Sequence, residues 1–214
     1  MSTLSFGIKL TDSNKSIGDA MLRALLPDVK KYFDKISNNL QTKLPPIIIN
    51  SIRSQPEYDS LLGGSLKAQF GIPDSASRVE AILSSIQNSV VVKQKSLNIS
   101  SGQIKGGIKL QMIKSDFNDL ISMGESVVVT EKGTDLNWLS WLLIEGDAII
   151  ISDYTFVAGP FDTSRTGMGI MRQSGGAWRV PPEFAGQINN NWITRAIDAA
   201  ASEIDNTLQS ILKG

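Results

Sequence analysis

Residues 89–114 read SVVVKQKSLNISSGQIKGGIKLQMIK and contain the clearest β pattern of the chain. The stretch up to Ser100 is rich in β-branched residues and alternates between apolar and polar side chains, which is typical of a strand with one buried face. Residues 100–103 have the composition of a turn, and the alternation resumes in GGIKLQMIK. The pattern therefore predicts an antiparallel β-hairpin with strands near 89–99 and 107–114.

Amphipathic segments near both ends of the chain predict long helices over residues 14–44 and 190–212. Pro27 is expected to kink or divide the first helix, and Pro45 and Pro46 to end it, because proline lacks an amide hydrogen and clashes with the preceding turn. The apolar stripe of this helix is expected to face the core, with a partner-facing helix as the alternative. The stripe consists of Ile17, Met21, Leu25, Val29, Phe33, Ile36 and Leu40.

Two further strands are predicted near 126–131 and 147–157, with a helix between them that Thr134 caps and Gly146 ends. With the hairpin they make about four strands. The sequence therefore predicts a single α+β domain over residues 1–214. It is expected to contain a small, mostly antiparallel sheet of about four strands packed against the long N- and C-terminal helices.

The 214 residues include no cysteine and no histidine. Ser-His-Asp and Cys-His catalysis therefore cannot be built from this chain, and thiolate and imidazole metal ligands are missing. Carboxylate chemistry remains open, but Glu57, Asp59 and Asp74 have the positions of helix-start and turn residues rather than of a Mg²⁺ site. We expect no enzymatic activity, no metal and no cofactor.

The formal net charge is zero, with 21 Lys and Arg against 21 Asp and Glu. A nucleic-acid-binding module usually carries a clear positive excess, so this balance argues against one. The charge is unevenly spread, because residues 1–53 carry eight basic and four acidic side chains and residues 134–214 carry five and nine. No apolar run approaches the roughly 20 residues that span a membrane, and no signal-peptide pattern opens the chain, so an intracellular site of synthesis is expected.

Residues 158–187 are rich in Gly, Pro, Ser and Arg and are predicted to form an extended loop. Arginine, methionine and aromatic side chains are enriched in interface cores, so the loop is a candidate contact with other subunits. Short strands over GMGIMRQ and AWRVP that extend the sheet are the structural alternative. The candidate interface residues are Arg165, Met168, Met171, Arg172, Trp178, Arg179, Pro181, Pro182 and Phe184, with Trp192 at the exit of the loop.

Three successive motifs resemble a family of tailed-phage virion proteins, namely SRTGMGIM at 164–171, GGAWRVPPEFAG at 175–186 and NNNWITRAI at 189–197. The family comprises neck and tail-completion proteins, including those described as virion morphogenesis proteins or head–tail connectors. The resemblance implies a long N-terminal helix, a small antiparallel sheet and a C-terminal helix, in copies that form a ring between head and tail.

The same resemblance implies a structural subunit of a neck or tail-terminus ring of six or twelve copies that joins the portal–adaptor complex to the tail. The implied partners are other copies of the chain, adjacent neck, connector or tail proteins and, by passive contact, the packaged DNA in the channel. The implied location is the virion, and the host cytoplasm during assembly. Two other hypotheses remain: a small carboxylate-dependent hydrolase or nuclease, and a nucleic-acid-binding module that uses the basic first helix and residues 158–187.

Overall fold

The computed structural model of the chain describes residues 11–112, 116–130 and 132–213. The helices are α1 (Asn14–Arg53), α2 (Pro56–Gly63), α3 (Ser65–Phe70), α4 (Ser75–Ser89), α5 (Asn118–Ile121), α6 (Trp138–Ser140), which continues as a π-helical turn (Trp141–Glu145), and α7 (Trp192–Lys213). The strands are β1 (Val91–Ser100), β2 (Gln103–Gln111), β3 (Val127–Val129), β4 (Asp135–Asn137), β5 (Ile151–Ala158) and β6 (Gly169–Trp178). The α+β class is confirmed. The end of the strand predicted at 107–114, and Glu131, lie outside the described residues.

The strands form three separate two-stranded antiparallel sheets, β1–β2, β3–β4 and β5–β6, within the described part of the chain. The prediction of a single sheet of about four strands is therefore wrong in its connectivity. A lone two-stranded hairpin is only marginally stable, so each ribbon needs another surface to cover its apolar face. Helices supply that surface: β1–β2 packs on α1, β3 on α6, and β6 on α3.

The first helix is continuous over its 40 residues and includes Pro27, Pro45 and Pro46. Pro27 therefore does not divide the helix, and the expectation that Pro45 and Pro46 end it is wrong. An internal proline costs a helix about 3 kcal/mol or more, and burial on both sides of the Pro45–Pro46 pair offsets this cost. Leu44 and Ile48 are almost completely buried there. At 1.5 Å per residue, the length of α1 along its axis is about 60 Å.

The main hydrophobic core lies between the C-terminal half of α1, the short helices α2 to α4, α6 and the beginning of α7. Its largest fully buried side chains are Trp138, Trp192 and Phe70. The indole N–H of Trp192 donates a hydrogen bond to the carbonyl of Ile52 at 3.1 Å, so the first turn of α7 is fastened to the end of α1.

A second, smaller hydrophobic cluster lies further toward the N-terminus of α1. It consists of Ile36, Leu40 and Leu44 of α1 and Ile211 of α7, and the apolar face of β1–β2 packs against it. The predicted hairpin is confirmed, with a tight turn whose two residues both have positive φ, Ser101 at 53° and Gly102 at 70°.

Residues 158–187 are not one extended loop, because β6 occupies Gly169–Trp178 and pairs with β5 along its length. The prediction of a loop is wrong for those ten residues, and the alternative of strands that extend a sheet describes them better. The helix predicted after Thr134 begins only at Trp138, where the side chain of Asn137 accepts a hydrogen bond from the amide of Ser140 at 3.2 Å.

Candidate assembly surface

The two tryptophans predicted as interface anchors are core residues. Trp178 is 5% exposed, and its indole N–H donates to Oε1 of Gln69 at 3.0 Å. Its ring packs edge-on against Phe70, with centroids 5.4 Å apart and planes at 78°. Trp192 is completely buried. The interface role predicted for both residues is therefore wrong for this conformation, because a side chain buried within its own subunit has no surface left for a partner.

Arg165 contacts its own subunit. Its guanidinium Nη1 donates to the carbonyl of Val129 in β3 at 2.6 Å. The same guanidinium lies over Gly71, where a Cβ atom would approach Nη2 to 2.9 Å. Gly71 has a φ of 61° and ends α3. Arg165 thus links the turn after β5 to the end of α3 and to β3, which explains the arginine without an external partner.

Several other candidates are partly buried. Met171 and Phe184 pack against the main core, and Met168 and Pro181 are half-buried. Met171 lies opposite Phe156 in the β5–β6 register, and both side chains turn toward the core. These residues hold the β5–β6 ribbon onto the domain.

Arg172, Arg179 and Pro182 are, besides Arg165, the exposed members of the predicted set. Arg172 lies in the middle of β6, opposite Thr155, and Arg179 follows the end of the strand. The register places Arg172 opposite Thr155 and Trp178, the residue before Arg179, opposite Ile151, so about four strand residues, or roughly 14 Å, separate these positions along β5. The structure therefore does not gather them into one cluster, and their contact with other subunits stays a prediction.

One carboxylate among the described residues is buried, and it is paired. Glu57, at the start of α2, has no exposed surface and accepts a hydrogen bond from Nη2 of Arg195 in α7. Its second oxygen, Oε2, has no hydrogen-bond partner among the described residues. This ion pair joins α2 to α7 inside the subunit.

Glu80 belongs to a second charged group. Its carboxylate accepts from Nη2 of Arg53 at 2.6 Å and from the hydroxyl of Tyr58 at 2.8 Å. The Arg53 guanidinium holds the pKa of Glu80 below its ordinary value, and hydrogen bonding to Glu80 raises the pKa of Tyr58. The ion pair explains the shift of Glu80, and the hydrogen bond to its carboxylate explains the shift of Tyr58; together they tie α1 and α2 to α4.

Other features that bear on chemistry are few. Among the described residues, no group of three or more His, Cys, Asp or Glu side chains is placed to hold a metal ion. A shallow groove of about 530 Å³ runs between α1 and α7 and has Lys43 and Glu203 as its charged lining residues. Of the helices within the described ranges, none combines the length and the apolar character needed to cross a membrane.

The N-terminal part of α1 is the most unusual surface. We call residues 14–31 the arm. Its apolar side chains follow helical spacing, yet neither hydrophobic cluster of the described residues includes any of them, and the first buried residue of α1 is Ile36. Met21 is 61% exposed and Leu25 is 51% exposed. The apolar residues of the arm are Ile17, Met21, Leu22, Leu25, Leu26 and Val29.

The arm corrects the expectation that the whole stripe of this helix faces the core. The core contact ends near Tyr32, whose hydroxyl donates to the carbonyl of Leu212 at the end of α7 at 2.8 Å. α7 packs against α1 only as far as Tyr32, so the apolar stripe of α1 extends beyond the end of α7. The sequence signal for this was the difference in length between the two predicted helices, 31 residues for 14–44 against 23 for 190–212.

Neither a family model, nor a curated protein, nor a solved structure matches this chain.

Proposed function

We propose that the protein is a structural subunit of a tailed-phage neck or tail-terminus ring that joins the head to the tail. The proposal rests on the resemblance of the motifs in residues 164–197 and on one structural observation, the exposed apolar stripe of the arm. Exposed apolar stripes of this size are typical of surfaces that another protein covers.

The arm of one copy is suited to bind a neighbouring copy of the protein. Fully burying a Val, Leu, Ile or Met side chain contributes about 1.5–3 kcal/mol. Four of the six apolar side chains are already more than half covered, so a neighbour would add roughly 4 kcal/mol. Losing the free motion of a subunit costs about 4–15 kcal/mol. One arm contact therefore barely balances the cost of association.

A closed ring changes this balance. If each copy places its arm on the body of the next copy, the interface is head-to-tail, and such an interface closes into a ring when the rotation between copies divides a full turn evenly. The last contact that closes the ring forms without a further loss of free subunit motion. This explains how a weakly associating subunit assembles when the head presents a template. Arg172 and Arg179, exposed on and after β6, are candidates for additional contacts with acidic side chains of adjacent proteins.

The experiment is complementation of a phage that lacks its own copy of the gene. The arm variant carries Met21→Ser and Leu25→Ser. Its matched control carries Arg23→Ser and Lys31→Ser, two exposed residues of the arm that lie outside its apolar stripe. We expect the arm variant to yield separate heads and tails in electron micrographs, and the control to yield joined particles. Both purified proteins should melt at the wild-type temperature, because the arm lies outside the core.

Two results would contradict the proposal. Mass spectrometry of purified particles could find no copies of the protein, or antibody labelling could place it away from the neck and tail terminus. Normal joining by the arm variant would instead reject the arm as the contact, and Arg172→Ala and Arg179→Ala would then be the next variants to compare.

A further inference from the structure

The β1–β2 ribbon gathers four lysines on one face. Lys93 lies directly opposite Lys109 in the strand register. Lys95 lies two residues further along β1, and Lys105 lies four residues from Lys109 along β2. Because side chains alternate along a strand, residues separated by even numbers share a face. All four amines therefore project from the same side of the ribbon, which we call the lysine face.

The opposite side of the ribbon is the packed side. Val92, Ile108 and Leu110 lie on it and pack against the smaller hydrophobic cluster. On the same side, Nε2 of Gln94 donates to the carbonyl of Phe33 in α1 at 3.4 Å. The lysine face consequently turns away from α1, and each of its four lysines is exposed.

No acidic side chain balances these charges within the ribbon, because residues 91–111 contain no Asp or Glu. None of the four lysines takes part in an ion pair within the part of the chain that the structure describes. Two like charges directly opposite each other, as at Lys93 and Lys109, destabilise a hairpin. The Lys93–Lys109 pair therefore lowers the stability of the free hairpin. An anion that binds these lysines would remove this repulsion, which explains why both are present.

Protection of the strand edges is the competing explanation, since lysines on exposed edges prevent pairing with other sheets. Lysine is the side chain most often used for that purpose, although Glu also serves it. Edge protection also does not require that all the charged side chains lie on one face. The single sign and the single face together favour an anionic partner.

We infer that the lysine face binds the phosphate backbone of duplex DNA without regard to base sequence. A two-stranded ribbon fits the major groove of B-form DNA, which is about 12 Å wide, whereas the major groove of duplex RNA is too narrow. From Lys105 to Lys109 the face extends about 14 Å, a length over which duplex DNA carries about eight phosphates. Lysine supplies flexible point charges that suit phosphates rather than base edges.

The zero net charge of the chain does not oppose this binding. At physiological ionic strength charges are screened beyond about 8 Å, so DNA at the ribbon responds mainly to the four nearby lysines. The inference is also independent of the proposed ring, because a single copy contains the whole lysine face. A ring would repeat the face around its axis and strengthen the binding through multivalency.

The test measures binding of the full chain to a fluorescent duplex of about 24 base pairs by anisotropy, between about 50 and 200 mM salt. Four phosphate contacts predict a slope of about −3.6 in log K against log salt, which is a loss of affinity of roughly 150-fold over this range.

The lysine-face variant replaces Lys93, Lys95, Lys105 and Lys109 with Gln. We expect it to bind at least tenfold more weakly at the lowest salt, with a much shallower slope. The matched control replaces Arg23, Lys31, Lys132 and Lys213 with Gln, which removes the same charge from scattered exposed positions, and should retain the wild-type slope.

A second measurement needs no variant. Acetylation of the wild-type lysines, followed by mass spectrometry, should show that the duplex protects the four lysines of the face and leaves Lys31 and Lys213 reactive. The inference is overturned if the wild-type protein does not bind the duplex at the lowest salt, or if the two variants lose binding equally. It is also overturned if phosphatidylserine vesicles or a polyglutamate peptide bind the face more tightly than the duplex does. Sedimentation of each variant as the same species as the wild type separates these results from any failure of ring assembly.

Discussion

Replacing Trp178 with alanine is the sharpest test of whether residues 158–187 form part of the core or an interface. The side chain is 5% exposed, so its removal creates a cavity beneath β6. Truncating a buried tryptophan costs about 3–5 kcal/mol, and the edge-on contact with Phe70 lies within that figure. The hydrogen bond to Gln69 adds little, because the half-buried amide of Gln69 can turn to water. We expect the free energy of unfolding to fall by about 4 kcal/mol.

The assay is urea unfolding of the full chain, followed by far-ultraviolet circular dichroism. For a protein of this length about 4 kcal/mol corresponds to a melting temperature lower by roughly 8–16 °C. Trp178→Phe is the matched control, because it keeps an aromatic ring near Phe70 and loses the indole N–H and part of the ring volume, at a smaller cost of about 1–2 kcal/mol. A loss below about 1 kcal/mol for the alanine variant, accompanied by failed assembly, would refute the core assignment and restore Trp178 as an interface anchor.

Three further changes have defined outcomes. Arg195→Met leaves the carboxylate of Glu57 buried without its partner and should lower the free energy of unfolding by about 3–5 kcal/mol. Adding Glu57→Leu should restore most of that loss. Equal losses for the single and the double variant would contradict the assignment of a buried ion pair. Because the pKa of Glu80 is lowered in the fold, its pairing with Arg53 stabilises the protein above the ordinary pKa of 4.5 and is lost as the pH falls through the lower folded value. Glu80→Gln should therefore lower the melting temperature slightly at pH 7 and not at acidic pH, by the ~0.2–1 kcal/mol of a half-exposed pair. Gly186→Ala would place a Cβ atom 1.7 Å from a carbonyl of the π-helical turn, so the expected result is poor soluble expression, and a wild-type thermal melt would disprove the close packing.

Local rules predicted the elements whose signals do not depend on distant contacts. The β1–β2 hairpin is one, since its alternation and its Ser101–Gly102 turn lie within a few residues of each other. The rule that proline ends a helix failed at Pro45, because burial between α1 and its neighbours outweighs the local cost. The strand β6 was predicted as a loop because Gly175 and Gly176 interrupt its alternation of apolar and polar side chains.

The candidate surfaces were predictable to different degrees. The odd-numbered lysines from Lys93 to Lys109 can be read from the sequence once the hairpin is assumed, but averaging the charge over whole segments concealed them. The burial of Trp178 and Trp192 could not have been predicted, because tryptophan is enriched in cores and in interfaces alike. Only the distant partners Gln69 and Ile52 distinguish the two cases.

The division of the strands into three ribbons has a consequence for hydrogen exchange. In a two-stranded antiparallel ribbon every strand is an edge, and only alternate amides point toward the partner strand. The remaining amides of the exposed ribbons face solvent and should exchange their hydrogens quickly in the free subunit. If neighbouring copies joined their ribbons edge to edge, these fast amides would become slow on assembly. A contact through the arm would leave their exchange unchanged. The exchange rates of the amides along β1, β2, β5 and β6 therefore report which strand edges a partner occupies.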